Sequence, residues 1–293
     1  MTDLAVDAGR TVRRERIRDS RGRLVSLLLS ALLVIVTVGF LLPIFLMVRM
    51  SLASADDTSL NPFSFKHGIQ WANYENAYQT MKYLPALMHT IGITTASVAL
   101  TVLAGSLAAY PLSRIVRRWT KPVYLLFMAG LTVPVFVLLT PLYLLMRDLH
   151  LLNTWGGVVL IYTGFNLPLA VFFYTGFLRG VPLEIEEAAV VDGAGPWRVF
   201  WLIVFPLLRP ITATLAIFIS LSVWNDLIVP LAFLSGQNGS TVVLSAYSFV
   251  GSYGFKPGEL FPAVVLATAP LLLFFSVLQR HIIAGIASGA VKS

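Results

Sequence analysis

A chain of 293 residues in which 57% are hydrophobic and 12% are charged lies far from a soluble globule, where about 45–50% and 25% are usual. Without cysteine it has no disulfide framework, thiolate metal site or cysteine nucleophile. Its mean hydropathy of +0.81 comes from long apolar runs, so the net charge of +7 is read from its distribution between loops, and the chain is expected to be an all-α polytopic membrane protein without a nucleic-acid partner.

An arginine-rich tail over residues 1–23 comes first, and residues 24–293 read as one transmembrane domain. Six apolar segments follow at approximately 24–48, 87–112, 123–146, 156–178, 203–234 and 260–279, each long enough for a tilted helix to cross about 30 Å of hydrocarbon. Pro43, Pro134, Pro141, Pro168, Pro206, Pro210, Pro230 and Pro270 fall inside these segments and read as kinks, since neighbouring helices in a bundle re-satisfy the freed backbone groups. A cleaved signal peptide competes for the first segment, because basic residues precede it and Ala53-Ser54-Ala55 has the small-residue pattern. Its apolar stretch, however, far exceeds the roughly 7–15 residues of a signal core. With the N-terminus inside, sixteen basic residues face the cytoplasm and five (Arg49, Lys66, Lys82, Arg147, Lys256) face outward, which puts both termini on the cytoplasmic side.

The chemical inventory is sparse. There is no Gly-Lys dipeptide and hence no P-loop, and His67, His89, His150 and His281 lie on separate segments without metal-ligand spacing, so neither catalytic nor metal residues are assigned. Asp226 is the clear ionisable residue inside a span. With Asn225 and Asn166 it either lines a polar pathway or makes interhelical hydrogen bonds.

The most informative stretch is the cytoplasmic loop 180–202 between spans four and five. It reads as two short helices around a glycine turn: Pro182 suits a first helical position, Glu184, Glu186 and Glu187 complement the positive helix start, Gly193 permits a left-handed stop, and Pro196 opens the next helix. Small Ala188 and Ala189 beside a carboxylate make a low-relief patch. On helix physics alone this is either a docking element or an ordinary connecting loop.

Glu187-Ala188-Ala189, then Gly193 after three residues, then Ile203 and Pro206 beyond nine more, resemble the E-A-A-x3-G-x9-I-x-L-P loop of permease subunits of binding-protein-dependent ABC importers, with Phe205 where that pattern has Leu. Over most of residues 60–293 the chain is similar to the carbohydrate-uptake branch, in particular the maltose-type second permease subunit. Trp71-Ala72-Asn73-Tyr74, Pro141-Leu142-Tyr143, Leu151-Leu152-Asn153-Thr154, Trp224-Asn225-Asp226 and Gly289-Ala290-Val291-Lys292 resemble its recurrent motifs. His89 and Pro111 depart from them.

The resemblance implies six transmembrane helices with a cytoplasmic coupling helix between spans four and five. It also implies a non-enzymatic subunit of an ATP-driven importer for a sugar or related solute in a bacterial or archaeal cytoplasmic membrane. Its partners would be a second permease subunit, an ATPase dimer that binds ATP and Mg, and an extracytoplasmic solute-binding protein; the chain itself would hold no cofactor. Glu187, Ala188, Ala189, Asp192 and Gly193 would form the ATPase-coupling joint, and Gly289, Ala290, Val291 and Lys292 a C-terminal ATPase contact. The competing reading is an ion-coupled secondary transporter using Asp226.

Overall fold

The computed structural model describes the backbone of residues 3–54, 57, 66–234, 239–250 and 257–290, and the side chains of residues 25–54, 57, 66–234, 239–250 and 258–276. It comprises two units, Met1–Gln70 and Trp71–Ser293.

In the first unit, α1 (Asp3–Ser51) runs for 49 residues with Pro43 inside it, so the expected boundary between basic tail and first apolar segment is no break in the backbone. From Val25 to Ser51 its mean hydropathy is 2.9. Its apolar side chains stand outward on every side, Ile35 and Phe40 among them. A helix that is apolar all round has hydrocarbon as its natural surroundings. Beyond it the Asp57 carboxylate accepts the His67 N–H at 3.1 Å and lies 3.3 Å from His67 Nδ1.

The second unit opens with α2 (Ala72–Thr80), α3 (Tyr83–Arg114), α4 (Thr120–Gly130), α5 (Val135–Asp148) and α6 (Trp155–Arg179). A connecting segment carries α7 (Glu184–Val191) and α8 (Pro196–Leu207), the latter containing a π-helical turn at Phe200–Val204. Then come α9 (Arg209–Asn225), α10 (Ile228–Phe233), α11 (Val242–Tyr247) and α12 (Pro257–Ala290). Among the described residues four helices are long and apolar enough to cross a membrane: Val25–Ser51, Tyr83–Arg114, Trp155–Arg179 and Gly258–Ser276. Two bent pairs raise the number to six if each pair is one span.

Those pairs fall in the expected third and fifth spans, where the chain bends far more sharply than at an ordinary proline kink. Between α4 and α5 the chain turns by 102°. Pro134 has no N–H to continue a helix and disfavours helical geometry at the residue before it, and it takes an extended conformation of its own at ψ 129°. It breaks the segment, whereas Pro43, Pro111, Pro141, Pro168 and Pro270 sit inside continuous helices. Between α8 and α9 the bend is 70°. It falls at Leu208, between Pro206 and Pro210, neither of which can donate to the helical ladder. The fifth segment also ends earlier than expected, at Asn225, because Asp226 is extended and its carboxylate accepts the N–H groups of Ile228 (2.9 Å) and Val229 (3.2 Å) at the start of α10.

The tightest seam runs between α3 and α6. Ser97, Thr101, Gly105 and Ala109 recur every fourth residue on α3 and are buried, the small-residue spacing that lets membrane helices approach closely. At Gly105 the approach is closest, since an added Cβ would stand 2.5 Å from Cβ of Ala170. Around the seam Tyr174, Leu178, Phe200, Leu208, Leu215 and Ile219 form one continuous buried cluster. We expect Gly105→Leu to force the two helices apart and lower stability by about 1–3 kcal/mol, read as a lower thermal unfolding temperature in detergent, with Leu103→Ala on the exposed face as the neutral control.

Candidate functional site

The site is built around α7. Its first turn contains Glu184, Glu186 and Glu187, which oppose the partial positive charge of the helix start. The helix begins at Glu184 with Leu183 as its cap, so Pro182 precedes the first helical position rather than occupying it. At the other end Gly193 adopts φ +82°. Its N–H donates to Val190 O at 3.0 Å while the Ala194 N–H donates to Ala189 O at 2.9 Å, the paired bonds of a Schellman stop. Gly195 is extended and Pro196 then opens α8 at the position where a missing N–H costs least.

One carboxylate of the three turns inward. Glu186 is 5% exposed, and its Oε1 receives both Nε and a terminal nitrogen of Arg114, each at 2.7 Å. Tyr110 donates its hydroxyl to Oε2 at 2.9 Å, and Arg114 also donates to the backbone carbonyl of Val181 at 3.1 Å. The pair is thus both charge-matched and hydrogen-bonded, as burial requires. Arg114 is the last residue of α3, so this clip fastens α7 to the end of that helix.

The residues singled out from the sequence divide around the clip. Glu187, Ala188, Asp192 and Gly193 are exposed, whereas Ala189 is half-buried and packs against the main core. The exposed side continues into apolar groups, with Val190 60%, Val191 87% and Trp197 68% exposed. Sequence reasoning missed Tyr110, Arg114 and Glu186 as a set. The available signal was Glu186 lying three residues before Ala189, which puts the two on one helical face.

The polar residues expected in the pathway are only partly brought together. Asp226 accepts the Tyr162 hydroxyl at 2.9 Å, and Asn166, buried one turn along α6, donates to the Tyr162 carbonyl at 2.8 Å. Asn225 is exposed and donates to Leu221 O within its own helix. Asp226 with its three bonds ties α6 to α9 and starts α10. Of the C-terminal residues, Gly289 and Ala290 end α12, while Val291 and Lys292 lie outside the described residues. Among the described residues no group of three or more His, Cys, Asp or Glu side chains could hold a metal ion.

Residues 101–288 match the family of the binding-protein-dependent transport system inner membrane component. The diacetylchitobiose uptake system permease protein of Streptomyces coelicolor is 32% identical over 279 residues, covering 94% of this chain and 92% of that protein. The melibiose/raffinose/stachyose import permease protein of Bacillus subtilis is 34% identical over 266 residues (90% and 96%), and the trehalose transport system permease protein of Mycobacterium tuberculosis is 32% identical over 271 (89% and 96%). In fold, the chain is similar to one from a bacterial ABC transporter involved in import of the acidic polysaccharide alginate. That match has a TM-score of 0.73 at 20% identity and covers 88% of this chain and 96% of that one. A buried scaffold carrying an outward-facing helix, a family match over more than half of the chain and relatives matched over nearly their full lengths lead to one conclusion: this protein belongs to the family of binding-protein-dependent transport system inner membrane components.

Proposed function

We propose that the chain is the permease subunit of an ATP-driven importer for a sugar or related solute, in which partner ATPase subunits displace α7 and so drive alternating access of a six-span bundle. The observation that carries this reading is the two-faced character of α7. One face is clipped to α3 by the Arg114–Glu186 pair, and the other presents Glu187, Ala188 and the projecting Val191, with Asp192 exposed at its end and Trp197 exposed on the following α8. A short helix tied at its back and bare at its front passes an external push to the spans behind it.

In this reading Glu187, Ala188, Ala189, Asp192 and Gly193 form the joint with the ATPase dimer, which binds ATP and Mg, and the segment Gly289 to Lys292 adds a second contact. The chain itself is not the enzyme of the system. The bent pairs complete six crossings, both termini lie in the cytoplasm, and a solute-binding protein delivers its cargo to the outer face, with a second permease alongside in a prokaryotic cytoplasmic membrane. The three relatives are named for uptake of diacetylchitobiose, of melibiose, raffinose and stachyose, and of trehalose, all saccharides, which supports a sugar as the solute. Gentle purification of the tagged chain from its native membrane, followed by mass spectrometry, is expected to recover a second permease and an ATPase in stoichiometric amounts. A fully active preparation of this chain alone would overturn the proposal.

The competing carrier reading rests on Asp226, and the three hydrogen bonds it accepts favour a structural role instead. Asp226→Asn retains one acceptor oxygen, so we expect stability to fall by about 1–3 kcal/mol while ATP-dependent uptake persists after the proton gradient is collapsed. Uptake that vanishes with the gradient and ignores ATP would establish the carrier.

A further inference from the structure

A cavity of about 470 Å³ lies between α3, α9 and α12. Its wall is mainly apolar, with Val98, Ala216 and Leu271 among its residues, and Trp224, Thr94, Thr95 and Ser220 add an indole and three hydroxyls. Ile91 and Phe274, 42% and 43% exposed, stand at its rim.

Two features distinguish it from a packing defect. The Trp224 Nε1–H donates to Ala267 O at 3.1 Å, so the ring is held as a fixed wall, 8% exposed, with its one donor already spent. Thr94 is 7% exposed and its hydroxyl has no hydrogen-bond partner. Some hydroxyls in the spans fold back onto the carbonyl four residues earlier, as Thr90 does onto Ala86, Thr163 onto Val159 and Thr268 onto Val264, while Ser97, Thr101 and Thr175 are, like Thr94, buried without a partner; of these last four, Thr94 is the one that lines the cavity. Thr94 forgoes that bond at the cavity wall, and a rotation about χ1 exchanges its methyl and hydroxyl positions. A buried hydroxyl left without a partner carries a desolvation cost that an entering polar ligand removes.

From this we infer that the chain itself contacts the transported solute, through a subsite for one saccharide ring formed by Trp224, Thr94 and Ser220. A pyranose has an apolar C–H face suited to an indole and hydroxyls suited to threonine and serine, and ligand sites are mostly apolar with a few placed polar groups. So few hydrogen bonds give a weak hold, which a pathway requires because cargo must leave as readily as it enters. The inference rests on the importer reading and adds to it a solute contact in this subunit.

The test uses the intact importer in its native membrane, with trehalose, raffinose and diacetylchitobiose as probes. Failure of the wild type to take up any of the three counts against the importer's solute class, and the subsite falls with it. Where one is taken up, Thr94→Val and Ser220→Ala are expected to lower kcat for uptake about threefold to tenfold while leaving KM unchanged. Unaltered kcat in both variants overturns the subsite alone. A second measurement uses the absence of native cysteine in the chain. Ser220→Cys should react with a water-soluble methanethiosulfonate, read as a mass shift on this chain, and the transported sugar should slow that reaction several-fold. Reaction only with a lipid-soluble maleimide would mean a hydrocarbon-filled crevice, and would overturn the subsite even if kcat had fallen.

Discussion

Replacing Gly193 with valine is expected to reduce solute uptake to background while the chain still inserts in the membrane. The residue sits at φ +82° with nothing within 4 Å of where a Cβ would stand, so the variant meets backbone strain and no steric clash. That strain is about 1–2 kcal/mol for an ordinary side chain and higher for a β-branched one. It acts on the Schellman stop, whose two bonds from Gly193 and Ala194 fix how α7 turns into α8. A graded series separates this cause from others: Gly193→Asn, which tolerates left-handed geometry, should retain most uptake, and Gly193→Ala should fall between the two. Transport assays on membrane vesicles, normalised to the amount of inserted chain, give the comparison. Normal uptake by the valine variant would refute the role assigned to the turn.

Cutting the clip should be equally damaging by a different route. Glu186→Ala leaves the Arg114 guanidinium, on a side chain 13% exposed, without its carboxylate, and removal of one partner from a buried pair typically costs about 3–5 kcal/mol. We expect α7 to detach from the end of α3, with proteolysis in the 180–196 region accelerated and uptake lost. Tyr110→Phe removes a single bond to the same carboxylate and should cost about 0.5–1.5 kcal/mol. The double variant Arg114→Met with Glu186→Leu restores apolar packing at the contact, so stability should return towards wild type. If uptake returns with it, the clip serves as a fastening; if stability returns without uptake, the charge pair itself takes part in transmission.

Much of this architecture could be read from the residues. Apolar run length placed the helices at Tyr83–Arg114 and Trp155–Arg179 within a few residues, because a membrane helix satisfies its own backbone and needs little help from its neighbours. The short helices around Gly193 were equally legible, since capping chemistry is local. What escaped depends on distant partners. Nothing in a single sequence distinguishes Pro134, which breaks a helix, from Pro141 and Pro168, which do not; the packing around each decides. Likewise Glu184, Glu186 and Glu187 look equivalent until Arg114, 72 residues away along the chain from Glu186, selects one of them. Asp226 stood out as an ionisable group among apolar residues, but its engagement with Tyr162 is a tertiary fact.

The close seam between α3 and α6 has a mechanical consequence. Helices meeting at Gly105 and Ala170 with no room for a methyl group cannot slide or bend independently, so the two spans behave as a single stiff beam. α7 is joined to that beam twice, covalently through residues 180–183 after α6 and by the Arg114 clip at the tip of α3. A force on α7 is therefore delivered to the end of the beam with little lost in flexing it. The sharp bends among the described residues lie outside that beam, at residues 131–134 and at Leu208.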